Sequence, residues 1–147
     1  QDSGGFSDAF AWTEATGMRI LPSLPSTNTS TAFGTNHDGS VVVGRSGGTA
    51  VLWRDNAIFA LERPTGSSAF AVDVTTTGSV VLGTVYDNTS VTDGVWRNGD
   101  GWTPLRDYFS ANGVTIPDGV QLRAFKRSVW YFTQASHVLR IIPEDKK

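Results

Sequence analysis

The sequence predicts an all-β fold: a propeller-like array of four-stranded antiparallel units with a period of about 41 residues, plus one short helix near residues 106–112. Three observations carry that prediction. Trp12, Trp53 and Trp96 recur at spacings of 41 and 43 residues, each closing a short apolar stretch: Ala9-Phe10-Ala11-Trp12, Ala50-Val51-Leu52-Trp53 and Gly94-Val95-Trp96. Independently, Gly39-Ser40-Val41-Val42-Val43-Gly44 returns as Gly78-Ser79-Val80-Val81-Leu82-Gly83 at an offset of 39. Two motifs in phase mark an internal repeat. Composition agrees, because 16 Gly, 17 Thr and 14 Ser stand beside three Lys and one Met, which favours strands and turns over helical heptads.

Taken in order, each unit reads as four short strands. The first ends in the Trp, and the second returns to Leu21, Leu61 or Leu105. The third runs through Ala32-Phe33 or Ala71-Val72, and the fourth is the Val run. Between them, Asn36-His37-Asp38-Gly39, Thr75-Thr76-Thr77-Gly78, Arg54-Asp55-Asn56 and Arg97-Asn98-Gly99-Asp100-Gly101 put Gly, Asn and Asp where tight hairpins need positive φ. A single four-stranded sheet cannot bury both faces, so units of this kind stack. Arg106 to Asn112 is the one fair helical stretch, stopped by Gly113. Beyond it, Val120 to Phe125 and Ser128 to Thr133 pair through Lys126-Arg127, and His137 to Ile142 forms a last strand before Pro143. Residues 1–147 thus read as a single β-repeat domain of about three and a half blades, compatible with membership of a longer protein.

Composition also bounds function. Twelve Lys+Arg against 14 Asp+Glu give a net charge of −2, which argues against affinity for phosphate backbones. The charge is uneven: residues 121–147 hold six basic and two acidic residues, net +4, leaving six against 12, net −6, in residues 1–120. With no Cys and two His, disulfide scaffolds, Cys-based zinc sites and thiol nucleophiles are excluded. The longest apolar runs, Val41-Val42-Val43 and Val80-Val81-Leu82, fall far short of a membrane span, and no basic-then-apolar signal opens the chain.

Residues 7–25 together with 32–44 resemble one unit of the HAF-type bacterial extracellular repeat proteins. The likeness rests on the strand Ala9-Phe10-Ala11-Trp12, the turn Gly17-Met18, the element Leu21-Pro22-Ser23-Leu24 and the hairpin Asn36-His37-Asp38-Gly39-Ser40-Val41-Val42-Val43-Gly44. It is good over residues 7–44, fair over 49–105 and loose afterwards, where the third hairpin lacks its Val-Val-Gly. The resemblance implies a secreted or surface-displayed bacterial β-repeat protein without catalytic residues. Trp12, Trp53, Trp96, Gly39, Gly44, Gly78 and Gly83 then read as structural repeat positions, the Trp side chains packing sheet against sheet with their indole N–H groups reaching backbone carbonyls.

Candidate sites are few. Trp102, Trp130 and Tyr131 lie outside the Trp phase and are the ligand-contact candidates, suited to stacking on a sugar. His37-Asp38 and Ser136-His137 are sequence neighbours, which on a strand point to opposite faces and so do not make a triad. The turns Asn36 to Gly39, Asp87 to Gly94 and Asn98 to Gly101 offer oxygens to Ca²⁺, yet none has a full twelve-residue calcium loop. Asn28-Thr29-Ser30 and Asn88-Thr89-Ser90 match the glycosylation pattern, which matters only in a glycosylating host. No catalytic residue, metal ligand or cofactor is expected. The leading expectation is an extracellular or cell-surface binding and structural module that self-associates into an oligomer or filament, or joins the remainder of a longer chain. A carbohydrate-binding lectin-like module is the first alternative. A polysaccharide-active hydrolase is the second, and it would need a carboxylate pair that the sequence does not nominate.

Overall fold

The computed structural model describes residues 7–125, 128–132 and 138–141, with side chains for residues 7–123. A hairpin of β1 (Phe10–Thr13) and β2 (Gly17–Ile20) is the first sheet. The second sheet runs β3 (Ser30–Thr35), β4 (Val41–Ser46), β5 (Thr49–Arg54), β6 (Ala57–Ala60), in that spatial order. The third repeats the arrangement with β7 (Ser68–Val74), β8 (Val80–Tyr86), β9 (Val91–Arg97) and β10 (Gly101–Pro104). Helix α1 (Leu105–Ala111) follows, and then a three-stranded fourth sheet of β11 (Gln121–Phe125), β12 (Ser128–Phe132) and β13 (Val138–Ile141). Every strand pair is antiparallel.

The sheets begin half a unit away from where the sequence units begin. Sequence reading starts each unit at the Trp strand, whereas the second and third sheets start at the Phe33 and Phe70 strands and end just after the Trp strands. The reason is that the connections after the Trp hairpins, residues 21–29 and 61–67, are the long ones, and there the chain leaves one sheet for the next. Each crossing is anchored alike: Leu21 N–H donates to the Ala9 carbonyl at 2.8 Å and Leu61 N–H to the Ala50 carbonyl at 2.9 Å. Ser30 N–H and Ala69 N–H then bond back to the Ser7 and Gly48 carbonyls.

Local chemistry explains the matched shapes. Gly39 and Gly78 take φ of +74° and +75° at the β3–β4 and β7–β8 turns, where a side chain would be strained. In the first of these turns Asn36 Oδ1 accepts the Val41 N–H at 3.0 Å, and in the second the Thr75 hydroxyl accepts the Val80 N–H at 3.2 Å. Different residues thus close the same turn. Both sheets carry a bulge, between Ala32 and Gly34 and between Ala71 and Asp73. Opposite each bulge the strands close in, and a Cβ on Gly44 or Gly83 would collide with the Thr31 or Phe70 carbonyl oxygen.

Stacking supplies the core. Each sheet has a leading face, turned toward the sheet before it in the chain, and a trailing face. Ala9 and Leu21, on the trailing face of the first sheet, pack with Val42, Val51 and Trp53 on the leading face of the second. Val41, Val43, Ala50, Leu52 and Leu61, trailing in the second sheet, pack with Ala69, Ala71 and Val81 of the third, and Trp96 and Trp102 lie against them. Leu82 and Val95, trailing in the third, pack with Leu105, Phe109 and Ile116 around α1, where Leu122 of β11 joins them. The three recurring Trp residues therefore differ in environment. Trp53 is 1% exposed and its indole N–H donates to the Pro22 carbonyl at 2.8 Å, the arrangement expected of all three. Trp96 is half-buried with an enclosed indole N–H that finds no protein acceptor. Trp12, expected to pack between sheets, is 64% exposed, because among the described residues no sheet covers its leading face.

Candidate functional site

Among the described residues, the first sheet's leading face gathers four of the exposed large apolar side chains. Register pairs Phe10 with Ile20 and Trp12 with Met18, so the four side chains form two adjacent cross-strand pairs on one face. They are 59%, 70%, 64% and 69% exposed respectively. Together they present on the order of 500 Å² of apolar surface, at the upper end for a patch on a monomer. The hairpin under them is well held. Arg19 hydrogen-bonds Asn56 of the second sheet's β5–β6 turn, and the Ala9 N–H donates to the Ser30 hydroxyl at 2.9 Å. The Thr13 and Thr16 side chains, 2.5 Å apart, close the β1–β2 turn. The four exposed side chains thus stand on a hairpin tied to the second sheet by a few hydrogen bonds.

A second feature is a groove of about 370 Å³ between β9, the start of α1 and β11. Its floor holds Asp93, whose Oδ1 accepts the Thr84 hydroxyl at 2.6 Å and whose Oδ2 lies 3.3 Å from Arg123 Nε. Arg106 is committed to backbone, donating to the Ile116 carbonyl at 2.8 Å and the Val120 carbonyl at 2.7 Å. Among the lining residues Asp93 is the single acid. Paired-carboxylate glycoside hydrolysis needs two.

The remaining predicted sites distribute as follows. Trp102 is half-buried: it pairs with Trp96 across β9–β10, and a Cβ on Gly83 would come within 2.7 Å of its Cη2. Gly83 therefore makes room for the Trp102 ring as well as for the bulge. Its position in the sheet matches Ile58 and Met18, a correspondence hidden in the sequence because Trp102 lies outside the Trp period. Trp130 and Tyr131 fall in β12, and their side chains lie outside the described residues. His37 sits in the β3–β4 turn, and His137 lies outside the described residues.

The acid-bearing turns are held by local donors. Asp38 Oδ1 accepts the Ser40 N–H at 2.9 Å, and hydrogen bonds from Ser40 lower its pKa. Asp87 Oδ1 accepts the Thr89 hydroxyl and N–H, both at 2.7 Å, and the Ser90 N–H at 2.8 Å. These bonds, the Thr89 hydroxyl foremost, bring its pKa down to about 2. One feature was not anticipated: Phe33, Phe70 and Tyr86 form a row with ring centroids 5.9 and 6.1 Å apart, and the Arg45 guanidinium lies 6.0 Å from the Phe33 centroid. The sequence signal was obscured because Phe33 is the bulge residue whereas Phe70 lies two positions before the corresponding one.

No protein-family model, curated protein or solved structure matches the chain. Among the described residues there is no group of three or more His, Asp or Glu placed to hold a metal ion. Among the described residues no helix is long and apolar enough to cross a membrane, a statement that does not touch β-barrels.

Proposed function

We propose that this chain is an extracellular or cell-surface β-repeat module, propeller-like in its stacking, which works as a binding and structural element without catalysis. The observation that carries this reading is the exposed row Phe10, Trp12, Met18 and Ile20 on a hairpin fixed to the second sheet. An apolar surface of that size favours contact with another macromolecule. Sheets stacked in one sense give such a surface a fixed mount, and the likeness to HAF-type repeats supports display outside a bacterial cell. Immunogold labelling of the source cells tests the location, and label confined to the cytoplasm would overturn it. Incubation with polysaccharide and chromogenic glycoside panels tests the absence of catalysis. Turnover that disappears in a heat-unfolded control would overturn that part.

The aromatic row Phe33–Phe70–Tyr86 favours a second reading, a lectin-like module, because partly exposed rings offer apolar faces to a sugar. A glycan array run with the wild type and with Phe33→Ala separates the two readings. Binding lost in the variant promotes the lectin.

A further inference from the structure

We propose that Asn98, in the β9–β10 turn, is a site of spontaneous deamidation, and that Asn112, which precedes Gly in the same way, is protected by the end of α1. The proposal concerns the third sheet and is independent of the exposed face of the first.

The reaction needs only water and a base. The backbone nitrogen of the residue after an Asn gives up its proton and forms a bond to the Asn Cγ. The Cγ–Nδ2 bond breaks, ammonia leaves with a proton, and a five-membered succinimide ring is closed. Water then opens the ring, so the sum is water in and ammonia out. Opening at one carbonyl gives an aspartyl residue; opening at the other gives an isoaspartyl residue, whose main chain runs through the former side chain. A Cβ on the attacking residue crowds the closing ring, and Gly has none. Of the Asn residues in the chain, Asn98 and Asn112 are the two that precede Gly.

Their surroundings separate them. Asn98 and Gly99 are both exposed. Asp100 N–H donates to the Arg97 carbonyl at 3.1 Å across them, and Gly99 takes the positive φ, +88°, that a type II turn requires at its third position. Among the described residues neither the Asn98 amide nor the Gly99 N–H has a hydrogen-bond partner, and nothing lies within 4 Å of a would-be Gly99 Cβ. Nucleophile and electrophile are therefore both unengaged and open to water. At the end of α1 both are held: Asn112 Nδ2 donates to the Tyr108 carbonyl at 2.7 Å, and the Gly113 N–H donates to the Ser110 carbonyl at 3.0 Å. Ring closure there has to break both bonds first.

The product alters the turn. Arg97 Nη2 lies 2.9 Å from Asp100 Oδ2, and its guanidinium 5.7 Å from the Tyr108 ring centroid, so the new carboxylate enters beside a cation already in use. The isoaspartyl form also adds a methylene to the main chain of the loop between the paired residues Arg97 and Gly101. Deamidation thus changes the charge of the β9–β10 hairpin and the length of the loop that closes it.

Mass spectrometry of the intact chain tests the proposal. The protein is held in warm, mildly alkaline buffer, with a parallel sample in urea, and peptides from timed digests are weighed. In the folded chain the peptide carrying Asn98 should show the amide-to-acid mass change severalfold faster than the peptide carrying Asn112. In urea the two rates should converge, because the following Gly is then all that acts on either. An acidic form should grow in step on ion exchange and be missing from Asn98→Gln, an exposed substitution expected to leave the circular dichroism spectrum unchanged. An Asn98 that resists in the folded chain yet reacts in urea would show that the turn protects it, and the proposal falls. Asn112 keeping pace in the folded chain, or a lead of Asn98 that persists undiminished in urea, overturns the assignment of the difference to the fold. An acidic form that survives Asn98→Gln places the modification elsewhere and also overturns it.

Discussion

Trp53 and Trp12 hold the same position in neighbouring sheets, and their surroundings decide what each contributes. Trp53 is enclosed by Ala9, Leu21, Val42 and Val51 and its N–H is satisfied, so Trp53→Ala leaves a cavity and should cost about 3–5 kcal/mol in denaturant unfolding. Trp12→Ala, at an exposed position, should stay within about 0.5 kcal/mol. Equal losses would mean that the two faces are equally covered. Asn36 is buried, with Oδ1 taking the Val41 N–H and Nδ2 donating to the Ser40 hydroxyl and the Thr76 carbonyl, both at 3.0 Å. Asn36→Ala leaves those partners stranded and should cost about 1–3 kcal/mol, checked by urea titration. At Asp87 the prediction concerns pH. Its folded pKa, about 2, lies below the ordinary 3.8, so the 87–90 turn is fully supported above the unfolded value and loses that support as pH falls through 2. Carboxylate NMR should place Asp87 near 2, and Thr89→Val, which removes the leading donor, should move it upward. An unmoved titration would show that the hydroxyl is not the cause.

At the level of strands and turns, matched glycines do different jobs. Gly39 is needed for its φ of +74°, with nothing within 4 Å of a would-be Cβ, so Gly39→Ala should cost about 1 kcal/mol. Gly83 is needed for space, hemmed in by the Phe70 carbonyl and the Trp102 ring, so Gly83→Ala forces strands apart and should cost about 1–3 kcal/mol. The reverse order in a denaturant series would reject the close approach at the bulge. Much of this was legible beforehand. The positive-φ turns at Gly39, Gly78, Asp55 and Asn56, the helix before Gly113 and the pairing of the two strands around Lys126-Arg127 all follow from residue types whose backbone preferences are local. The start of each sheet was not legible, because a period of about 41 residues looks the same from any starting point, and only long-range pairing picks the break after Ile20 and Ala60. Exposure of Trp12 was hidden for a related reason: its motif is that of a covered strand, and what covers it is not encoded in its neighbours. The Asp93–Arg123 pair joins residues distant in sequence and carried no spacing signal.

Across the whole molecule, the sheets share their cores, and this dictates how the chain unfolds. Leu52 belongs to the second sheet but packs among Ala69, Ala71 and Val81 of the third, and neither sheet has that layer alone. Isolated two- to four-stranded sheets with one bare apolar face are marginal in water, so the second and third sheets should open together. The first sheet is attached more lightly, through Ala9, Leu21 and a few hydrogen bonds, while its other face meets solvent. Hydrogen exchange on wild type and Leu52→Ala separates these units. The substitution should lower global stability by about 2–5 kcal/mol and reduce protection equally at slowly exchanging amides in β4, β5 and β8, which exchange only when the shared layer is lost. Amides of β1 and β2 should exchange faster in the wild type and change little in Leu52→Ala, because their opening leaves the layer around Leu52 intact. Protection lost in β4 and β5 but kept in β8 would show that each sheet folds on its own, and that stacking adds contacts without coupling them.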